Sequence, residues 1–233
     1  MSDWISFYDF KHSVIYVNAR HRDVHYASIA ADILPYIPSP TAHVLDYGSG
    51  EACSAGRVAA ACGRLVLAEA APNVRAALSA RFAGDLKLAV MTPEQVAALP
   101  PHSFDLIVMH SVAQYLKAAE LDGLLVLFRR LLKPDGLLVI GDIVPPRLAA
   151  LAAAWALLRF GAANGFLGAA ILGLLRIGLS DYLRLRKTVG LSHYSEAAML
   201  AKLATAGFVP RRAPRNIGHN QARMTFLARP AGT

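Results

Sequence analysis

The chain has 233 residues, of which 55% are hydrophobic, and a formal net charge of +8. This length and composition predict one domain with a well-buried core, residues 1–233, and argue against a second independent domain. Cys53 and Cys62 have a spacing that matches neither a disulfide framework nor a zinc site, which favours a reducing, cytosolic compartment. Residues 1–10 lack the order of a signal peptide, so export is not expected.

The positive charge lies in the C-terminal third of the chain. Residues 1–146 hold 12 Lys and Arg against 14 Asp and Glu, whereas residues 147–233 hold 12 against 2. This excess predicts an anionic partner surface, either nucleic acid or the headgroups of acidic lipids.

Predicted helices and strands alternate along most of the chain. In chain order they are a helix at 23–37, a strand at 43–47, a helix at 54–62, a strand at 65–68, a helix at 72–82, a strand at 86–90, a helix at 93–98, a strand at 104–109, a helix at 118–132, a strand at 137–140, a helix at 195–206, and strands at 208–209 and 224–227. Near-continuous apolar strands between helices indicate a parallel sheet covered on both faces, with ligands at the carboxyl ends of the strands.

The first predicted strand ends in the run Val44-Leu45-Asp46-Tyr47-Gly48-Ser49-Gly50. Its glycines let the backbone turn sharply and come close to a ligand, which a Cβ at either position would obstruct. Nineteen residues after Gly50, the second predicted strand ends at Glu69. A carboxylate at about this spacing can accept the hydrogens of both ribose hydroxyls. The sequence therefore predicts a nucleotide-binding site here.

Two later motifs follow in order, Ser103-Phe104-Asp105-Leu106-Ile107 and Leu131-Leu132-Lys133-Pro134-Asp135-Gly136-Leu137-Leu138-Val139. With the first two features they cover residues 42–142, and together they resemble the class I S-adenosylmethionine-dependent methyltransferases, in the small-molecule and lipid branch. Asp135 stands where that family more often has glycine. The resemblance implies an α/β fold: a Rossmann-like seven-stranded sheet with helices on both faces, five parallel strands and a C-terminal antiparallel return. It implies S-adenosyl-L-methionine as the methyl donor and no metal.

The resemblance also assigns residues to the cofactor. Glu69 would bind the ribose, and Asp46 would organise the pocket around the methionine part, although Asp46 could instead only stabilise the turn. Tyr16 and Arg20, in an N-terminal cap at residues 1–41, would lie near the methionine carboxylate, or else be solvated on the surface. The other expected cofactor contacts are Tyr47, Gly48, Ser49, Gly50, Ala70, Met91, Thr92 and His110.

A nicotinamide or flavin Rossmann fold is the rival interpretation of the glycine turn. Its G-x-G-x-x-G motif requires a glycine three places after Gly50, where this chain has Cys53. The later motifs also disfavour it.

His110 follows the fourth predicted strand, where the family places a residue that faces the transferred methyl. Imidazole titrates near neutral pH, so His110 could act as the catalytic base, or it could only pack against the cofactor. No Asp/Asn-Pro-Pro-Tyr follows this strand, which argues against nucleic acid as the acceptor. Tyr115, His193 and Tyr194 are the predicted acceptor contacts, with His219 a weaker candidate.

His21 and His25 lie four residues apart, but Arg22 occupies the place of the glutamate that a metalloprotease needs, and no third ligand is evident. No metal site is predicted.

The apolar and basic insertion, residues 147–190, is the most distinctive segment. Between Leu148 and Leu179 its only charges are Arg159 and Arg176, and Arg159 separates the apolar runs 148–158 and 160–175. Neither run reaches the roughly 20 residues of a bilayer span. We expect a helical hairpin that turns at Asn164-Gly165 and serves as a lid over the acceptor, an interfacial membrane element or a homodimer face. Basic residues beside it, Arg184, Arg186, Lys187, Arg211, Arg212 and Arg215, favour anionic lipid over nucleic acid.

These observations predict a methyltransferase that acts on a lipophilic small molecule or a membrane lipid, in the cytoplasm or at the inner face of the membrane. Two alternatives stay open: a methyltransferase of protein or nucleic acid, and a non-catalytic, membrane-associated subunit that binds the cofactor.

Overall fold

The computed structural model describes residues 5–6, 9, 16–147, 150–177 and 191–232. Its strands are β1 (His43–Tyr47), β2 (Arg64–Ala68), β3 (Leu88–Met91), β4 (Phe104–His110), β5 (Leu132–Ile143), β6 (Phe208–Arg212) and β7 (Met224–Pro230). They form one seven-stranded sheet in the order β3-β2-β1-β4-β5-β7-β6. Strands β1 to β5 pair in parallel, whereas β7 runs antiparallel to both β5 and β6. The predicted Rossmann-like sheet with a C-terminal antiparallel return is confirmed.

The helices are α1 (Ala19–Ile33), α2 (Ala55–Ala60), α3 (Pro72–Arg81), α4 (Pro93–Ala97), α5 (Ala118–Leu131), α6 (Ala150–Asn164), α7 (Leu167–Ile177) and α8 (Glu196–Thr205). They cover both faces of the sheet. Buried side chains of α1, α2 and α3 share one core cluster, and those of α5 and α8 share the other. The central strands are therefore buried on both sides, which explains why their sequences are apolar without alternation.

Helix α5 illustrates how the sequence specifies one of these faces. Leu121, Leu125 and Phe128 recur at spacings of four and three, so they lie on one side of the helix, and all three are fully buried. Burial of side chains of this size contributes about 1.5–3 kcal/mol each. The helix begins where the Lys117 amide donates to the Glu120 carboxylate at 2.6 Å.

Helix α1 begins four residues earlier than predicted because Asn18 caps it. The Asn18 side chain accepts a hydrogen bond from the His21 amide at 2.8 Å. The helix ends in a short 3₁₀ turn, Leu34–Tyr36, that contains Pro35. The described part of the predicted N-terminal cap is therefore mostly this helix.

The order of the strands positions a crevice. Strand β1 has β2 on one side and β4 on the other, and the helices that follow β1 and β4 lie on opposite faces of the sheet. The connections therefore diverge at the carboxyl ends of β1 and β4, which is where α/β sheets of this type bind ligands.

Helices α6 and α7 form the expected hairpin, which turns at Gly165 with φ at +75°. Arg159 separates two apolar runs in the sequence but lies within α6, which continues to Asn164. A single charged residue leaves the backbone hydrogen bonds intact, whereas a glycine with positive φ ends the helix.

In the part of the chain that the model describes, no helix combines the length and the apolar character needed to cross a bilayer. The predicted basic residues Arg184, Arg186 and Lys187 lie outside the described residues.

Candidate active site

The glycine turn after β1 is shaped by its neighbours. Gly48 and Gly50 have φ at +77° and +57°, a region that side chains with a Cβ rarely adopt. A Cβ at Gly48 would lie 2.3 Å from the Val112 side chain, and one at Gly50 would lie 2.8 Å from the Tyr26 hydroxyl. The sequence requirement for two glycines therefore has both a conformational and a steric cause.

Glu69 closes this turn from the end of β2. Its carboxylate accepts hydrogen bonds from the amides of Gly50 and Ala71, both at 2.8 Å. Burial raises the pKa of Glu69, and these amides act in the opposite direction. Each carboxylate oxygen retains a second lone pair, so Glu69 can still accept hydrogens from a ligand.

Asp46 lies between these elements at the end of β1. Burial, with the nearby Glu69 carboxylate, raises the pKa of Asp46 from 3.8 to about 7. Asp46 is therefore near half-protonation at neutral pH in the free protein. A positively charged ligand group beside it would favour the carboxylate form.

A cavity of about 800 Å³ opens at the carboxyl ends of β1, β2 and β4. This is within the range of small-molecule sites. Eleven residues predicted for the site border it: Tyr16, Asp46, Tyr47, Gly48, Ser49, Gly50, Glu69, Ala70, Thr92, His110 and Tyr115. The structure thus brings together residues that are up to a hundred positions apart in the sequence.

Five predicted site residues lie outside this lining, and one of them, His219, stacks on Phe160 of the hairpin. Arg20 donates instead to the Asn164 carbonyl at the turn of the hairpin, because α1 packs there. The Met91 side chain packs against the core, while its neighbour Thr92 caps α4 and borders the cavity. His193 is exposed.

Tyr194 is buried in the core cluster that contains α8, and its amide donates to the Val144 carbonyl at 3.0 Å. The loop that carries it therefore packs beside β5. Neither His193 nor Tyr194 faces the cavity, because this loop serves to lead the chain into α8.

His110, at the end of β4, is the central polar residue of the cavity. Burial lowers its pKa, and the negative charge of Asp142 acts in the opposite direction. Its Nδ1 is buried and has no hydrogen-bond partner within the described residues. A Cβ at Gly141 would lie 2.6 Å from this nitrogen, so the glycine in β5 makes room for the imidazole.

Ser111 directly follows β4, and Asp142 lies near the end of β5. Both residues have an unusual backbone conformation. Their φ values are +58° and +67°, which is strained for residues other than glycine. The Ser111 hydroxyl donates to the Asp142 carboxylate at 2.5 Å, and Arg223 forms an ion pair with the same oxygen. Although burial acts to raise the pKa of Asp142, Arg223 and His110 lower it, so Asp142 is negatively charged beside the cavity.

Sequence reasoning missed several residues that border the cavity, notably His25, Tyr26 and Ile29 of α1. The spacing of His21 and His25 is the available signal, but on its own it suggests only a metal site. Rings of Tyr16, Tyr26 and His219 surround His25, with centroids 5.6, 5.6 and 5.9 Å away. Within the described residues, no cluster of His, Cys, Asp or Glu has an arrangement suited to a metal ion.

The hairpin supports α1 from behind. His21 stacks on Phe166 with ring centroids 5.0 Å apart, and Phe160 stacks on His219 at 4.5 Å. Since α1 borders the cavity, the hairpin contacts the wall of the cavity rather than its interior.

The residues present fit S-adenosylmethionine. Gly48 and Gly50 leave a cradle that a Cβ would fill, and the buried Ser49 hydroxyl has no hydrogen-bond partner among the residues described. Glu69 offers free lone pairs, and Asp46 suits a cationic group. Glu69 would bind the ribose of such a ligand, the glycines would let the backbone approach it closely, and Asp46 would lie beside its positively charged end.

Comparison with known proteins supports this fit. Residues 45–140 match the family model described as a methyltransferase domain. No curated protein matches the chain in sequence.

Several solved structures share the fold. A Burkholderia thailandensis 1,6-didemethyltoxoflavin-N1-methyltransferase, with its substrate and S-adenosylhomocysteine bound, is 19% identical, with 99% of this chain and 86% of that chain covered and a TM-score of 0.60. DhpI in complex with S-adenosylhomocysteine is 11% identical, with 98% and 96% covered and a TM-score of 0.62. Human N-acetylserotonin methyltransferase with S-adenosylmethionine is 14% identical, with 90% and 52% covered and a TM-score of 0.55. At these identities the likeness establishes the fold alone.

Proposed function

Since this chain is a class I S-adenosylmethionine-dependent methyltransferase, we propose that it transfers the methyl group to a lipophilic small molecule or a membrane lipid. One observation carries the proposal: a single cavity has a polar end, formed by the glycine turn and Glu69, and an end bordered by aliphatic and aromatic side chains. The polar end suits the methyl donor. The apolar end suits an acceptor that water solvates poorly.

In this proposal Glu69 holds the ribose hydroxyls and Asp46 attracts the positively charged end of the donor. S-adenosylmethionine, when bound, supplies a methyl carbon on a sulfonium that is already a good leaving group. The protein therefore has to align the acceptor with that carbon, exclude water and, for a hydroxyl, remove a proton. No metal is needed for these tasks.

His110 is our candidate for the base. It borders the cavity at the end of β4, and burial lowers its pKa, so it is neutral at pH 7 and can accept a proton. Asp142 lies near enough for its charge to stabilise the imidazolium that results. If His110 instead only packs against the cofactor, His110→Ala will weaken binding of the donor without a selective loss of turnover.

The apolar end of the cavity supports a lipophilic acceptor. Aliphatic side chains of α1 and α5 border it together with one aromatic ring: Ile29, Ile33, Leu124 and Tyr115.

The outer face of the hairpin supports recruitment to an anionic membrane surface. Leu151, Trp155 and Leu175 are 82%, 62% and 69% exposed, which is unusual for side chains of this size. Residues 147–233, which include the hairpin, carry 12 Lys and Arg against 2 Asp and Glu. An apolar helical face with basic residues nearby is the combination that binds the interface of anionic lipid bilayers. A second copy of the chain on this face is the alternative.

Two measurements test the proposal in sequence. Calorimetry with S-adenosylmethionine tests the donor, and transfer of a labelled methyl group from it, in a cell lysate, tests the acceptor. We expect the label in the organic-soluble extract. Label in the aqueous macromolecular fraction would instead indicate a protein or nucleic-acid methyltransferase, and binding without transfer would indicate a non-catalytic subunit.

A further inference from the structure

Three imidazoles lie where the hairpin meets the rest of the protein. His21 of α1 stacks on Phe166 with ring centroids 5.0 Å apart, and His219, in the loop before β7, stacks on Phe160 at 4.5 Å. The ring of His25 lies 6.1 Å from that of His21 and 5.9 Å from that of His219. We call His21, His25 and His219 the histidine cluster. It joins α1, the loop before β7 and the hairpin.

The protonation state of His21 is tied to a contact with α7. The Val17 amide donates to His21 Nδ1 at 3.3 Å, so this nitrogen is the bare acceptor of a neutral ring. A protonated imidazole donates from both nitrogens and cannot accept this bond. The Val17 side chain packs on α7, where a Cβ at Gly173 would lie 2.3 Å from it. Protonation of His21 therefore breaks a bond that positions Val17 against the hairpin.

The cluster is uncharged at neutral pH. Burial, followed by His219, lowers the pKa of His21 to about 4. Burial, followed by His110, lowers the pKa of His25 to about 3, and burial also lowers the pKa of His219. Two or three positive charges about 6 Å apart would repel one another strongly in such a site.

The surrounding groups do not supply a free negative charge. Asp142 of β5 favours protonation of His25 and His219, but it already forms an ion pair with Arg223. Asp32 of α1 accepts the Gly218 amide at 2.8 Å. Among the described side chains of the hairpin only Arg159 is charged, and it is exposed. The other titratable groups beside the cluster are His110 of β4 and Tyr16 and Tyr26 of α1, and burial raises the pKa of both tyrosines.

The sign of the pH effect follows from these shifts. An imidazole freed into water has its ordinary pKa near 6.5, so the released state binds more protons than the docked state below that pH. The contact is fully stable above about pH 6.5 and weakens as pH falls toward the docked pKa of His21, about 4. Within this window each imidazole that is freed favours release by up to about tenfold per pH unit.

Release would give the hairpin a second apolar face. Phe166 is 3% exposed when it stacks on His21, whereas Leu151 and Trp155 on the outer face are already exposed. An apolar hairpin beside basic residues binds the interface of an anionic bilayer, and a larger apolar area strengthens that binding. The surface potential of such a bilayer, about −30 to −50 mV, lowers the local pH by roughly 0.5 to 0.8. The surface that binds the hairpin therefore also favours its release.

We propose that the histidine cluster is a pH-sensitive switch: it holds the hairpin against α1 at neutral pH, and on protonation it releases the hairpin to an anionic bilayer. This rests on the proposed recruitment of the hairpin to such a membrane. Two features of the protonated state suit anionic lipid, the positive charge of the cluster and the aromatic rings that it uncovers.

Hydrogen exchange without lipid tests the release itself. Protection of the amides in α1 and in the hairpin is compared at pH 7.5 and pH 5.0, each relative to an unstructured chain at the same pH, so that the chemical effect of pH cancels. We expect protection to fall at least tenfold in residues 19–25 and 150–175 and to stay constant in β4. Constant protection of the hairpin would overturn the switch.

Co-sedimentation tests the partner. The vesicles contain phosphatidylglycerol and phosphatidylcholine in equal parts, with vesicles of phosphatidylcholine alone as the control. We expect binding to the anionic vesicles to strengthen at least tenfold from pH 7.5 to pH 5.0, and most of that gain to survive high salt, because salt does not screen buried apolar contacts. A gain that high salt abolishes would show only adsorption by exposed histidines, and release to the bilayer would be wrong.

Variants identify the groups that titrate. His21→Phe with His219→Phe keeps both stacked rings but takes up no proton, so both pH effects should disappear. The single variant His219→Phe, which leaves the bond from Val17 in place, should reduce both effects and serves if the double variant unfolds. His43→Gln, at the exposed start of β1, is the control and should keep both effects. Full pH effects in the His219→Phe variant and in a folded double variant would mean that the cluster is not the switch.

The proposal and the function on which it rests fail separately. If S-adenosylhomocysteine does not bind at pH 7.5, the methyltransferase function is wrong, whatever the hairpin does. If it binds and the hairpin loses protection at pH 5.0, but anionic vesicles bind no more strongly than at pH 7.5, the bilayer is not the partner of the released hairpin.

Discussion

The two ends of the cavity are built differently. At the cofactor end, the backbone itself forms the site: two glycines with positive φ, and amides that bond to Glu69 at 2.8 Å, lie within 26 residues of one another, from Asp46 to Ala71. At the proposed acceptor end, side chains from α1 and β4 border the cavity, and the loop before β7 and the hairpin pack behind α1. Few sequences can form the cofactor end, whereas the side chains at the acceptor end can be replaced one at a time.

This difference separates two requirements of the enzyme. The methyl donor is one molecule, so its site is made of the least replaceable elements, a tight turn and the ends of buried strands. In our proposal the acceptor is recognised by packing and by a few polar atoms, which helices and loops can present in many combinations. Changes at the first end should therefore have large effects on binding of the donor, and changes at the outer side of the second end should have almost none.

Gly48→Ala should have the largest effect. The added Cβ would lie 2.3 Å from Val112 and would occupy a backbone with φ at +77°. Left-handed backbone and overpacking together cost about 2–4 kcal/mol, so we expect a lower free energy of unfolding and no detectable binding of S-adenosylmethionine. Urea denaturation and calorimetry measure the two effects.

Gly123→Ala is the matched control for this change. Gly123 lies within α5 with nothing within 4 Å of an added Cβ, so alanine should stabilise the protein by about 0.5–1 kcal/mol and leave binding unchanged. Equal losses in both variants would mean that the turn has no special role.

Glu69→Gln should have the next largest effect. Glutamine can replace one acceptor oxygen but brings an NH₂ group toward the amide of Gly50 or Ala71, and it loses the charge that strengthens bonds to ribose hydroxyls. Hydrogen bonds to a charged group are worth about 1.5–3 kcal/mol, so we expect a 10- to 100-fold weaker Kd for S-adenosylmethionine. Glu196→Gln on the surface of α8 should leave the Kd unchanged, and an unchanged Kd for Glu69→Gln would remove the ribose assignment.

Asp46→Asn should change binding and stability in opposite directions. The pKa of Asp46 is about 7 in the folded protein and near 3.8 in the unfolded chain, so the native state holds the proton more tightly. Unfolding releases this proton between those values, and the stability of the free enzyme falls as pH rises from about 4 to about 7 and then levels off. The asparagine variant does not lose stability in this way, because asparagine does not titrate. At pH 8 it should be more stable than wild type by at most about 4 kcal/mol, while its affinity for S-adenosylmethionine falls about tenfold.

Thermal unfolding of both proteins at pH 4 and pH 8 checks the sign. The two should be equally stable at pH 4 and should differ at pH 8. A wild-type protein that gains stability from Asp46 as pH rises would contradict the raised pKa.

The same contrast explains what the sequence could predict. Asp46, the two glycines and Glu69 lie in short segments whose patterns are visible without a structure, and the order of strands and helices follows from apolar runs and turn residues. The role of His25 could not be predicted in this way. The sequence shows its spacing from His21, but His25 borders the same cavity as His110, 85 positions later, only because of how α1 packs on the sheet. Arg20, His193 and Tyr194 lie outside the cavity lining for the same reason, because the packing of loops and helices decides where those side chains point.

Trp155→Ser together with Leu175→Ser should have the smallest effect on the active site. Both side chains are largely exposed, at 62% and 69%, so their loss removes little buried packing. We expect unchanged binding of S-adenosylmethionine and an unchanged midpoint of thermal unfolding, but several-fold weaker co-sedimentation with vesicles that contain anionic lipid at low salt. Leu86→Ser, at a 99% exposed position before β3, is the control and should leave co-sedimentation unchanged. If wild type does not sediment with the vesicles and the double variant changes from dimer to monomer, the outer face of the hairpin binds a second copy of the chain instead of lipid.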